Sequence, residues 1–257
     1  MSVQTQTSGG VTEIVLDRPD RINAVDEAMV ERLHEALGAA EAAGARALLV
    51  RGEGKGFCAG RDLSDAQPGT EDAEAILAKV FNPLFVRLAR FPAPTFAAVH
   101  GAALGVGLGL ALACDVVYAA ESAKVGSPFA RIGAVLDSGG HGYLVRRLGA
   151  HRALELIYTG RLLSGTEAAQ WGLVNAAVPA DDLVEVVRGL ARTAAAGPTA
   201  AFRLSKELVA RVDTGALTLE DVLSAEAGAQ GEASRTRDYA EGIGAFQEKR
   251  TPTFTGE

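Results

Sequence analysis

Apolar and polar residues along the chain fall into short runs with two periods. Residues 11–16 read as a strand, ended by the turn chemistry of Asp17-Arg18-Pro19-Asp20. Met29, Leu33 and Leu37 then recur at helical spacing between Asp26, suited to an N-cap, and Gly44, a stop, which predicts a helix over residues 26–43. An apolar run at 47–50 predicts a buried strand, and residues 71–91 form a second helical pattern closed by Pro92 and Pro94. A strand at 95–99 leads through a glycine turn into residues 105–114, which are apolar on every side and predict a helix buried all round. Further strands are expected at 115–119 and 174–178. Helices are expected at 139–148 and 150–158, with a short one that Ser164 caps and Gly172 ends. From Pro179 the pattern is helical only, over residues 181–195, 199–212, 219–228 and 236–247. Short strands interleaved with helices, then helices alone, predict an α/β body with an α appendage.

The stretch 99–142 carries the candidate chemistry. Its glycines, Gly101, Gly105, Gly107 and Gly109 with Gly139 downstream, admit two readings, close helix packing or close approach of a ligand to the backbone. The N–H groups near Val106, at the start of the predicted buried helix, need an acceptor, and an anionic or carbonyl oxygen is the natural one. A second glycine-rich loop covers residues 52–63, but it has neither the Gly-Lys-Ser/Thr ending of a phosphate loop nor G-x-G-x-x-G. No nucleoside triphosphate or NAD site is read there. Asp137 stands between the apolar residues 132–136 and Ser138-Gly139-Gly140, and is either the N-cap of the next helix or a reagent.

Composition narrows the field. The 257 residues carry 32 acidic and 25 basic side chains, a net charge of −7, which argues against nucleic acid or an anionic membrane as partner. Any anionic ligand must find a local group of cations. The two cysteines, Cys58 and Cys114, have no metal-like spacing, so no metal site and no disulfide framework is expected. The first ten residues lack a basic-plus-apolar leader pattern, and no apolar run reaches the roughly 18 residues of a membrane span, so a cytoplasmic location is expected.

Several motifs in order resemble the crotonase family, the enoyl-CoA hydratases and isomerases, over nearly the whole length. They are Arg18-Pro19 with Asn23-Ala24, Phe57-Cys58-Ala59-Gly60-Arg61-Asp62-Leu63, residues 98–115, Trp171-Gly172-Leu173-Val174, and residues 245–252. The resemblance implies a spiral of ββα units over residues 1–197 and a helical oligomerisation segment over 198–257, assembling as homotrimers or hexamers. It implies an acyl-CoA thioester substrate, with coenzyme A part of that substrate and no separate cofactor. It places an oxyanion hole on the backbone N–H groups of Arg61 and Val106, where Val106 replaces the usual glycine and His100, nearby, the usual asparagine. It sets the adenosine diphosphate portion near Arg21, Ile22 and Ala24, with Lys249 of a neighbouring chain reaching its phosphates. Ala59, Asp62 and Leu63, and Phe129, Leu136 and Phe246, are the remaining expected contacts with substrate.

The two glutamates of the family's hydratases map to Gly109 and Phe129, neither of which titrates, so hydration is disfavoured. Asp137 matches the acid of the family's isomerases. Ser127-Pro128-Phe129 with Asp137-Ser138-Gly139-Gly140 most resembles the Δ3,Δ2-enoyl-CoA isomerases and the ring-epoxide isomerase of phenylacetate degradation. One base suffices to move a proton between C2 and C4, and burial among Val135, Leu136 and Phe129 is expected to make Asp137 a stronger one. Two alternatives remain: Asp137 as a nucleophile, as in the family's dehalogenases and thioesterases, and a non-catalytic acyl-CoA binder. Gly109→Glu with Phe129→Glu is expected to permit some hydration, at a stability cost from buried charge and from overpacking beside the helix. Apolar residues of the tail, Phe202, Leu204, Leu208, Val222 and Phe246, are expected to pack against the body and against other subunits.

Overall fold

The computed structural model describes residues 2–64, 66–213, 215 and 217–257. Strands β1 (Val3–Ser8) and β2 (Val11–Leu16) form a hairpin across Gly9-Gly10, both at positive φ (58° and 78°), as a two-residue turn requires. β2 then pairs in parallel with β3 (Ala47–Gly52), β3 with β4 (Thr95–Val99), β4 with β6 (Val116–Ala120) and β6 with β9 (Ala176–Val178). The sheet order is therefore β1-β2-β3-β4-β6-β9.

Helices cover both faces of this sheet. Met29, Val30, Leu33, Leu37 and Ala40 of α1 (Glu27–Ala42) are buried at helical spacing, and the Asp26 carboxylate caps the helix by accepting from Met29 N. Leu33 and Leu37, with Leu84 and Leu88 of α3 (Asn82–Ala89), meet Ile14, Leu16 and Val50. Side chains alternate along a strand, so Glu13 and Arg51 point to the opposite face. There Glu13 pairs with both Arg51 and Arg188, the latter on α8 (Leu183–Ala195).

A second layer is built from short segments that follow the main strands. After β3 come residues 57–60, after β4 comes β5 (Ala102–Leu104), and after β6 comes β7 (Lys124–Gly126), which also pairs with β8 (Leu163–Ser164). Cys58 bridges Ala103 in parallel, and Ala103 pairs with Val125. Three successive turns of chain thus lie in register twice, once in each layer: this is the spiral of ββα units.

Most predicted elements are present, with instructive differences. The helix expected over 71–91 is three pieces: α2 (Ala73–Ile76), a π-helical turn at Leu77–Phe81, and α3. Pro83 has no N–H to donate and its ring crowds the preceding turn; the extra residue of the π turn, with Asn82 N bonded to Leu77 O, relieves this. The buried helix is α4 (Val106–Leu112), with every residue buried. Burying each of its leucines contributes about 1.5–3 kcal/mol. The fully described helices α5 (Gly140–Leu148) and α6 (Ala150–Thr159) are as expected, and Ser164 and Glu167 form a reciprocal capping box on α7 (Gly165–Gln170). The C-terminal helical segment holds α9 (Thr199–Asp213), α10 (Leu219–Ala233) and α11 (Arg237–Glu248). Of its five singled-out apolar residues only Leu204 is buried; Phe246 is 83% exposed.

Candidate active site

Two short segments bring the site together. Cys58 N donates to Ala102 O and Leu104 N to Cys58 O, so the loop after β3 and the strand before α4 run side by side in register. Two residues after the Cys58–Ala103 bridge each chain has a glycine at positive φ, Gly60 (112°) and Gly105 (52°). One residue further on stand Arg61 and Val106. Neither of their backbone N–H groups has an acceptor among the described residues. Equivalent positions on adjacent parallel turns thus present two free donors. Glycine is needed for this approach: a Cβ on Gly107 would lie 2.3 Å from Cys58 O.

Asp137 enters from the loop between β7 and α5. It does not cap α5, which has Gly139 at its N-cap with no side-chain bond, and among the described residues the Asp137 carboxylate accepts only from Ser138 Oγ, at 2.6 Å. The N-cap reading is thereby corrected. The two left-handed residues Ser138 (φ 56°) and Gly139 (φ 77°) lift the carboxylate away from the helix start. Asp137 is half-buried, and burial pushes its pKa above the ordinary value, against the Ser138 hydrogen bond and the Arg61 charge. The Arg61 guanidinium is itself held by Glu71, through two hydrogen bonds of 2.7 Å.

The expected apolar wall is corrected in one place. Leu136 is buried and Phe129 half-buried, but Val135 is 79% exposed, because the chain leaves the body between the 3-10 turn Phe129–Ile132 and Leu136. Phe129 lies on the turn at Gly105: a Cβ there would be 2.9 Å from its ring. Gly109, one turn along α4 from Val106, is the seat of Ser138, since a Cβ there would be 2.6 Å from Ser138 Cβ and 2.7 Å from its carbonyl oxygen.

The expectation that Gly109→Glu with Phe129→Glu permits hydration does not survive this packing. A side chain at 109 collides with backbone, which cannot rotate away. Gly109→Glu is expected to destabilise the fold by about 1–3 kcal/mol and to dislodge Asp137. A lowered Tm with no hydrated product by mass spectrometry checks this, and a folded variant that hydrates overturns it.

The structure brings most of the other expected substrate contacts to one edge. Residues 22–25 run alongside 59–62: Ala59 N donates to Ile22 O, Val25 N to Gly60 O and Asp62 N to Val25 O. Arg21, Ile22 and Ala24 therefore flank Ala59, Asp62 and the exposed Leu63. Asp62 is engaged within the loop, where Ser64 and Arg18 hold its carboxyl down to about 2. Asn23, fully buried, accepts from Arg18 N and donates to Glu53 O and Gly56 O, which locks the loop. His100 lies 3.0 Å from Gly54 O through Nε2, a structural contact. Phe246 and Lys249, at the end of α11, make no hydrogen bond or ion pair with these residues among those described. Burial pushes the Cys58 thiol up to about 12, which leaves it inert as a nucleophile. Sequence reasoning passed over Glu71 and Ser138. Only the Asp-Ser-Gly-Gly order hinted at the second; nothing ties Glu71 to Arg61 before the chain is folded.

The family model described as Enoyl-CoA hydratase/isomerase matches residues 6–257. This chain belongs to that family. It is 38% identical over 253 residues to a 1,2-epoxyphenylacetyl-CoA isomerase of Escherichia coli strain K12, covering 96% of each chain. It is 39% identical over 255 residues to a probable enoyl-CoA hydratase of Rhodobacter capsulatus, covering 99% of this chain and 98% of that one. A crystal structure of an enoyl-CoA hydratase from Bacillus anthracis superposes with a TM-score of 0.92 at 34% identity, covering 100% of both chains. Enoyl-CoA hydratase/isomerase chains of this kind act on coenzyme A thioesters, and the crotonase spiral is the fold. No described helix is long and apolar enough to cross a membrane.

Proposed function

We propose that this chain isomerises an acyl-CoA thioester, with Asp137 as the single base and the N–H groups of Arg61 and Val106 as the oxyanion hole. The observation that carries the reading is the half-buried Asp137 carboxylate, its pKa raised by burial, bonded by Ser138, which is itself seated on Gly109 one turn along α4 from the free Val106 donor. The carboxylate takes a proton from C2 or C4 of the acyl group, and the electron pair left behind moves onto the thioester oxygen. That oxygen accepts from the two N–H groups, each such donor supplying on the order of 3 kcal/mol to the enolate-like transition state. Asp137 then returns the proton at the other carbon, and the double bond has moved with no change in atoms. Phe129 over Gly105 keeps water from the face where a second carboxylate would activate it.

The similarity to the Escherichia coli isomerase supports this reading; the names of other relatives favour hydration. Incubation with 3-enoyl, 2-enoyl and epoxy-aryl thioesters, followed by mass spectrometry, separates the chemistries. Isomerisation leaves the mass unchanged, whereas an added water or released coenzyme A overturns the proposal.

Assembly as a trimer or hexamer belongs to the same proposal. Leu219, Leu223 and Ile243 are 69%, 55% and 45% exposed, a poor surface for an isolated chain, and a neighbouring copy is the partner that covers it. Coenzyme A enters only as part of the substrate. Lys249 sits exposed at the α11 C-cap (φ 57°), where it is free to reach a phosphate of ligand bound to the next subunit. Lys249→Glu is expected to raise KM for a coenzyme A thioester while barely changing it for a pantetheine thioester, with the difference shrinking in salt. Equal effects on both substrates, or a monomer in light scattering, remove the shared site.

A further inference from the structure

Residues 137–140 form a tight turn of an uncommon kind. Gly140 N donates to Asp137 O at 2.8 Å, and the two central residues, Ser138 and Gly139, both have positive φ, the geometry of a type I′ turn. Glycine is at ease in that geometry and serine is not. Ser138 is nevertheless 4% exposed, pressed on Gly109, and its hydroxyl donates to Asp137 Oδ1 at 2.6 Å. A strained residue whose one side-chain bond goes to a candidate base marks a position held for function.

We propose that Ser138 is a positioning residue: seated on Gly109, its hydroxyl selects one rotamer of the Asp137 carboxylate and favours its charged, proton-accepting form. This rests on the reading of Asp137 as the base. The groups that act on Asp137 are few. Ser138 Oγ faces it from its own turn, and the Arg61 guanidinium, clamped by Glu71 and in the field of Glu27, faces it from the loop after β3. Among the neighbouring elements, α4 carries no titratable side chain. On α5, Tyr143 and Arg147 face each other, Arg146 pairs with Asp213, and His141 is exposed. Among the described residues the hydroxyl is thus the one neutral donor opposing the desolvation of the carboxylate. Without it, burial and Arg61 alone set the charge.

Ser138→Ala and Ser138→Gly test this. In both, the ascending limb of the kcat/KM profile is expected to move to higher pH by about half to one unit, the size of one lost neutral hydrogen bond. Plateau kcat falls while KM holds. A merely structural serine would lower the rate equally at every pH. Ser138→Gly suits the turn's positive φ, so it decides the matter if the alanine variant does not fold. A 13C titration of the Asp137 carboxyl, assigned by its loss in Asp137→Asn, reads the same shift without turnover. An unmoved titration in Ser138→Gly overturns the positioning role. Wild-type turnover in Asp137→Asn overturns the base instead, so the two failures are distinguishable.

Discussion

Asp137→Asn is expected to lower turnover by about 10²–10⁴-fold, the usual loss when a general base is removed, while coenzyme A thioesters still bind. The fold should tolerate the change. Among the described residues Asp137 makes a single side-chain hydrogen bond, from Ser138 Oγ, and an asparagine Oδ1 can still accept it. Among the described residues the carboxylate caps no helix and pairs with no cation at contact distance, so its replacement leaves no buried partner there unsatisfied. Steady-state turnover on the best thioester found, with calorimetric binding of an unreactive thioester, checks both halves. Wild-type turnover would make Asp137 a bystander and end the single-base mechanism.

The second large effect is expected from Val106→Pro. Val106 is the first residue of α4, behind Gly105 at the N-cap, and the first helical position is where proline is tolerated, since its missing N–H has no intrahelical partner. The substitution therefore deletes one donor and leaves the helix able to form. Removing one donor of an oxyanion hole costs about 10²–10³ in kcat. Val106→Ala, which keeps the N–H, serves as control and should stay within a few-fold of wild type. Equal rates in the two variants would show that the donor does not touch the reaction.

Much of this site was legible before folding because its elements are written in strong local patterns. Residues apolar on every side announced α4; Asp26 and Ser164 announced their caps, and both caps are made. What stayed hidden was written in register instead. β5, β7 and β8 span only two or three residues each, too short for a period, and exist because neighbouring turns of chain align them. β1 was missed for another reason: its sequence VQTQTS is polar and almost wholly exposed, so no apolar alternation marks it. Val135 misled because an apolar residue in an apolar run is normally inside, whereas here the run leaves the body at that point. The motif resemblance supplied the positions of Arg61, Val106 and Asp137; the reason they converge is the Cys58–Ala103 bridge and the turn at Ser138, neither of which has a sequence period.

The in-register pairing of residues 58–61 with 103–106 has an evolutionary consequence on the proposed reading. Backbone donors fixed by alignment of two turns are indifferent to most side-chain substitutions, while the residues that move protons or exclude water stand elsewhere, at positions 129 and 137. A lineage can exchange residues 129 and 137 one at a time and keep, at every step, a scaffold that still lowers the energy of an enolate. Ancestral intermediates between one reaction and another would then retain weak activity instead of none. New chemistry on this framework is reachable by gradual descent, provided that the glycines permitting the close approach are left alone.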